Sequence, residues 1–239
     1  MIASVSAKGH APDARPAPTP VWLDTFETGL FTHAHLVLSG NVHDVFPIEQ
    51  DTRTGFVPLE RAVRASLSRF GIDTVLTFDP VDGAGLYPSA EAPQERPLEA
   101  DGADLRRADA SPETLLDLVQ MVSASADVPA ALVVRHAAHV APPDSAVMRR
   151  ILVAIDKIAR CPPPRLRTAG RIPARNPILW LIDRPGDLPD WFAAGNDAVR
   201  QIRVDLPDLE ERYVHACALA PRFHAADGLP PAERGAAVQ

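Results

Sequence analysis

The chain has 239 residues, 46% of them hydrophobic, enough to close a full α/β core and leave room for a small appended subdomain. A formal charge of −7 removes the basic face that a dedicated nucleic-acid binder normally presents. The two cysteines, Cys161 and Cys217, exclude a disulfide framework and fit a reducing, cytoplasmic setting. No run approaches the ~18–20 apolar residues that span a bilayer, and Met1–Thr19 lacks the continuous apolar stretch of a signal peptide.

The 25 prolines concentrate in Met1–Pro20, Pro80–Pro112, Pro142–Pro143, Cys161–Pro177 and the tail after Pro221. Each removes a backbone donor and restrains its predecessor, so these clusters mark linkers and loops. In chain order, residues 1–20 read as a disordered Ala/Pro-rich arm. Trp22, just after it, and Trp191-Phe192 read as packed side chains that double as half-exposed candidate anchors. A first strand spans His35–Ser39, overlapping the stretch Leu36–Gly40 that runs into a glycine. Val57–Phe70 places Leu59, Val63, Leu67 and Phe70 at helical spacing. A second strand follows at Thr74–Phe78. The turn Asp82-Gly83-Ala84-Gly85 has no helix after it and reads as loop, within a mobile insertion over 80–112.

A helix over Pro112–Ser123 has Ser111 as its N-cap, Pro112 in the first turn and Glu113 in the favoured acidic position. The third strand is Ala131–Val134. A helix over Ser145–Ala159, with Asp144 as a plausible cap, leads to an arginine-rich connection. The fourth strand, Ile178–Ile182, carries Trp180 as a core residue. A short helix over Pro189–Val199 and a fifth strand at Gln201–Leu206 follow, then a helix from Pro207 through Cys217 and Leu219. The alternation predicts an α/β fold over 21–206 with a parallel five-stranded sheet sandwiched by helices. A small helical remnant over 207–228 and a disordered tail over 229–239 complete the chain.

Three stretches carry a resemblance. Ile202–Arg212 (IRVDLPDLEER) looks like the last core strand of an AAA+ module running into its helical lid. Asn176–Asp183 (NPILWLID) is similar to the fourth strand of that fold, and Ala131–Val134 stands in the Walker B strand. Over roughly Leu30–Ala220 the chain therefore resembles the AAA+ ATPase superfamily, with its P-loop-NTPase-like fold. The GNVHDVF stretch narrows this to the degenerate N-terminal AAA-like domain of certain large bacterial AAA+ proteins. Such proteins usually carry a second, intact module, and this chain ends before one could begin.

The resemblance puts the phosphate loop at Ser39, Gly40 and Asn41, but no Gly-Lys-Ser/Thr follows to cradle a triphosphate and hold magnesium. Arg135 and His136 stand at the Walker B acid pair and can neither order Mg²⁺ nor orient water. Asp183 falls at the sensor position, where an anion would repel a γ-phosphate. Arg200 lies just after the arginine-finger position. The expectation is a module with no catalytic residue, cofactor or metal. The alternative is an ATP- and Mg-binding ATPase completed by a partner or an unusual loop, with Ser39, Gly40 and Asn41 at the phosphates and Asp183 or Asp79 on the ion.

Two other groups bear on function. His43, His136 and His139 follow strands whose C-terminal ends open onto one rim, so they can converge. Without HExxH, CxxC or an acid at metal spacing they read as ordinary surface or hydrogen-bonded histidines. Arg160, Arg165, Arg167, Arg171 and Arg175, interleaved with prolines, form a candidate docking loop for an acidic partner. No aromatic residue interleaves them for base stacking, which disfavours nucleic acid. The sequence reading is thus a non-catalytic interaction, scaffold or regulatory module. Its partner would be a protein, either an active AAA+ subunit or a second copy of this chain, with no membrane involved.

Overall fold

The computed structural model describes residues 19–50, 53–87, 109–125, 128–142, 145–161 and 173–219. The N-terminal arm, most of the expected 80–112 insertion and the tail fall outside them. The elements are α1 (Val21–Thr32), β1 (His35–Gly40), β2 (Val45–Gln50), β3 (Arg53–Pro58), α2 (Leu59–Arg69), β4 (Thr74–Asp79), β5 (Gly83–Tyr87), α3 (Pro112–Ala124), β6 (Ala130–Arg135), α4 (Ala146–Arg160), β7 (Ile178–Ile182), α5 (Asp190–Ala193), β8 (Val199–Val204) and α6 (Leu209–Leu219). They fall into two compact units. One comprises Pro20–Phe46 with Val57–Leu206; the other includes Pro47–Phe56 and the stretch from Pro207.

The larger unit is built on a six-stranded sheet of order β5-β4-β6-β7-β1-β8. β4, β6, β7, β1 and β8 pair in parallel. β5 alone runs antiparallel, against β4. The sheet therefore has one strand more than the five expected. The extra strand is built from the Gly-Ala-Gly turn that reads as loop in the sequence, because its alternation is too short and glycine-rich to signal a strand. Continuous apolar runs such as Leu36–Leu38 and Ile178–Ile182 are buried throughout, as a sheet covered on both faces requires.

One face packs Val37, Leu76, Phe78, Leu132, Val134 and Trp180 against α3 and α4. On α1, a Cβ added at Gly29 would lie 2.8 Å from Leu36 Cδ2, which shows how closely that helix lies on β1. Ser111 caps α3 by accepting from the Thr114 amide, as expected. The cap of α4 is Ser145, which accepts from the Met148 amide, rather than Asp144. Trp22, 5% exposed, packs edge-on against Phe46 and belongs to the core; Trp191 is exposed and Phe192 fully buried. β8 begins two residues earlier than expected, and α1 was not legible at all. Among the described residues, no helix is long and apolar enough to cross a membrane.

The second unit contains the β2–β3 pairing and α6. Within it the Phe56 and His215 rings meet edge to face with centroids 4.2 Å apart. This hairpin is the largest departure from the expected order. The chain leaves β1 as β-β-α rather than passing straight into a helix.

Candidate functional site

The parallel strands β1, β6 and β7 share a direction, so their C-terminal ends open onto one crevice, the usual ligand position in such sheets. It is lined by Val42 and His43 after β1, Glu60 in the first turn of α2, Arg135–His139 at the end of β6, and Leu181–Asp183 with Asp187 after β7. Its cavity volume is about 80 Å³. Small-molecule pockets run to roughly 300–1,000 Å³.

The loop after β1 decides what this crevice can do. Gly40 has φ +107° and a Cβ there would lie 2.7 Å from the Val204 carbonyl oxygen, so glycine is required by close approach to β8. The Asn41 amide donates to that same carbonyl at 2.9 Å, and the Val42 amide donates to the Gly40 carbonyl at 2.8 Å. The Asn41 side chain donates to Asp44 Oδ2 at 2.9 Å, while Asp44 Oδ1 accepts from the Val45 amide at 2.8 Å. A phosphate-binding loop works by aiming free amides at the ligand. Here the amides of Asn41 and Val42 are bonded within the protein, and Ser39 is buried.

The crevice walls are likewise engaged with one another. Arg135 donates to Glu60 Oε2 at 2.5 Å, with both side chains mostly buried. His43 Nε2 lies 2.8 Å from Asp183 Oδ1, and the Asp183 amide donates to Asp187 Oδ2 at 3.1 Å. The His43 and His136 rings stack with centroids 5.9 Å apart, and His139 lies 6.3 Å beyond His136. The three histidines thus converge as their strand positions suggested. Among the described residues no group of three His, Cys, Asp or Glu side chains is arranged to hold a metal ion. His136 has φ 49°, the one positive φ at a described non-glycine residue, and makes the sharp turn that ends β6.

Arg200 does not join this set. It pairs with Leu36 near the start of β1, whereas the crevice opens beyond Gly40. The four-residue offset, ~13 Å along a strand, puts it toward the opposite edge of the sheet. Of the five arginines in the expected docking loop, Arg160 donates to Asp156 at 2.9 Å and to Asn196 at 3.2 Å. Arg175 donates to the Ala159 carbonyl at 3.3 Å. Arg165, Arg167 and Arg171 lie outside the described residues. The sequence reading missed Glu60 and Asp187. Glu60 looks like an ordinary first-turn acid, and Asp187 is legible only as the turn residue of Arg184-Pro-Gly-Asp.

Comparison with protein families matches residues 11–205 to the AAA+ chaperone, N-terminal Rossmann-like domain. The chain belongs to this family. Its α/β sheet is the Rossmann-like domain by which that family of AAA+ chaperones is defined. No curated protein matches the chain. Among solved structures, it is similar to a chain in the "Structure of E. coli MS115-1 HORMA:CdnC:Trip13 complex", with a TM-score of 0.46 and 16% identity. The match covers 97% of this chain and 64% of the other, so the AAA+ domain described here spans less than two thirds of that chain.

The AAA+ relationship raises a magnesium-bound nucleotide as the ligand of the crevice, and the residues present do not fit one. Three carboxylates, of Glu60, Asp183 and Asp187, face the space, and Arg135 is held by Glu60. Bringing a triphosphate against them would desolvate like charges, and the Asn41 and Val42 amides, bonded within the chain, do not offset that cost.

Proposed function

We propose that this AAA+ chaperone N-terminal domain is a non-catalytic interaction module, whose Walker positions are degenerate and which acts by docking to protein rather than by turning over nucleotide. The observation that carries the reading is the bonding of the Asn41 and Val42 amides within the chain. Arg135 and His136 at the Walker B position, with Asp183 at the sensor position, support it. The partner is another AAA+ subunit or a second copy of this chain, and the setting is the cytoplasm.

The test is thermal denaturation of the purified chain with and without MgATP or MgADP. A nucleotide at 100-fold over its Kd would add about 2.7 kcal/mol to stability, a readily measured rise in Tm. The expected result is no rise and no phosphate release. A saturable rise would overturn the reading. A rise without phosphate release would mark a nucleotide-operated switch, and a rise with phosphate release an ATPase.

A further inference from the structure

On one face of the sheet α3 and α4 lie side by side and run in the same direction. Their N-terminal halves meet where Arg150 lies 3.6 Å from Glu113. Near their last turns the Ala159 and Val122 carbonyls accept from the consecutive residues Arg175 and Asn176. The two helices divide charge between them. α3 contains Glu113 and Asp117, both exposed, and no Lys or Arg. α4 exposes Arg149, Arg150, Lys157 and Arg160, and its single acid, Asp156, is bonded to Arg160 and Asn196. Among the described residues no ion pair engages Asp117, Arg149 or Lys157. A surface built only for solubility intersperses its signs, often as pairs four residues apart on one helix. Nor does the helix dipole account for Arg149 and Arg150, which lie toward the positive, N-terminal end of α4, where cations are disfavoured.

We propose that the α3–α4 face is self-complementary and pairs two copies of this chain about a two-fold axis, α3 of each lying against α4 of the other. The proposal rests on the reading that this domain docks to protein, and names the partner as a second copy. The parallel run of the helices fixes the arrangement. An axis along the helices, midway between them, sets acid opposite base at both contacts. An axis across them sets α3 against α3 and α4 against α4, where like charges repel. Because Glu113 lies level with Arg150 within one chain, it meets Arg149 and Arg150 of the second copy. Asp117, one turn on, falls between the second copy's Arg150 and Lys157, where half-exposed Val153 adds an apolar contact.

Such a contact is isologous and closes at two copies, because each face is covered by its mate. It is also small. The 15 residues of α4 give a face about 22 Å long, and two helices one about 20 Å wide, so about 450 Å² per copy is covered against the ~800 Å² of a standard complex. Half-exposed Val147 and Val153 add little apolar area. The pairing is therefore weak, carried by charge and sensitive to salt. The crevice takes no part in it.

The experiment is sedimentation equilibrium on the full chain up to about 300 µM at about 20 mM salt, a range that reports dissociation constants in the upper micromolar range. The wild type is expected to reach a dimer and nothing larger, and to be monomeric at about 0.5 M salt, where screening shortens to a few ångströms. E113K/D117K makes the whole face basic, and R149E/R150E/K157E makes it acidic. Each alone is expected to weaken self-association at least about tenfold. Mixed in equal amounts they are expected to form a one-to-one heterodimer at least as tight as the wild-type pair, since every contact then joins opposite signs. Should E113K/D117K lower the melting temperature, E113Q/D117N replaces it in the same design. A wild type that stays monomeric, an assembly larger than a dimer, a reversed variant that associates like the wild type, or a mixture that forms no heterodimer would overturn the proposal. A monomeric wild type overturns only this proposal, whereas a saturable rise in Tm with MgATP overturns the reading beneath it.

Discussion

The amide of Asn41 donates to the carbonyl of Val204 at 2.9 Å, tying the end of β1 to the end of β8 at the point where a phosphate loop would open. Gly40 permits that bond. Its φ of +107° and the absence of a Cβ let β1 turn directly against the Val204 carbonyl. A glycine that reads in the sequence as the remnant of a phosphate loop is here a packing and turn residue.

Gly40→Ala is therefore expected to destabilise the fold rather than to alter ligand binding. The new Cβ meets a backbone oxygen at 2.7 Å and sits at a φ that L side chains rarely adopt. The expected loss is about 1–3 kcal/mol, read as a lowered urea midpoint at unchanged m-value. An Ala variant as stable as wild type would show that the β1–β8 closure is not as described.

Acid sensitivity is built into the core at His35. Burial lowers its pKa from 6.5 to about 4, against a smaller opposing pull from Asp156, and its Nδ1 accepts from Trp180 Nε1 at 3.2 Å. The folded pKa lies below the unfolded one, so the unfolded state binds the proton first. Stability is therefore full above about pH 6.5 and falls as the pH drops towards 4, by up to about 3 kcal/mol. His35→Gln is expected to flatten that part of the stability–pH curve. An equally steep curve in the variant would assign the acid sensitivity to other groups.

Asn176 joins three segments through one buried side chain. Its Oδ1 accepts from the Ala130 amide at 3.0 Å, and its Nδ2 donates to the carbonyls of Val122, Ser125 and Val128 at 2.8, 3.2 and 3.2 Å. Asn176→Ala leaves the Ala130 amide and the facing carbonyls unsatisfied, at about 2–4 kcal/mol. Asn176→Asp is expected to be at least as damaging, since a carboxylate replaces a donor with an acceptor. Equilibrium unfolding of both variants checks this, and a loss under about 0.5 kcal/mol in either would refute the hub role.

Long periodic segments were legible because their chemistry is local. Ser111-Pro112-Glu113 announces the start of α3, and the apolar run Ile178–Ile182 announces a strand buried on both faces. The β2–β3 hairpin was not, because Phe46-Pro47 and Thr54-Gly55 interrupt its alternation. β5 was hidden by its two glycines, and α1 by its lack of a side-chain cap. The site was half visible. The resemblance put Arg135, His136 and Asp183 at the ends of their strands, and all three line the crevice. Their partners Glu60 and His43 lie 75 and 140 residues away from Arg135 and Asp183, pairings that no local pattern encodes.

The most direct test of the account is the behaviour of the Asn41 and Val42 backbone amides, followed by NMR on the isotope-labelled chain as MgATP is added. The account predicts that both are protected from hydrogen exchange and that neither resonance moves at saturating nucleotide. Saturable shifts at these two amides would show that they turn to a phosphate, and would contradict it.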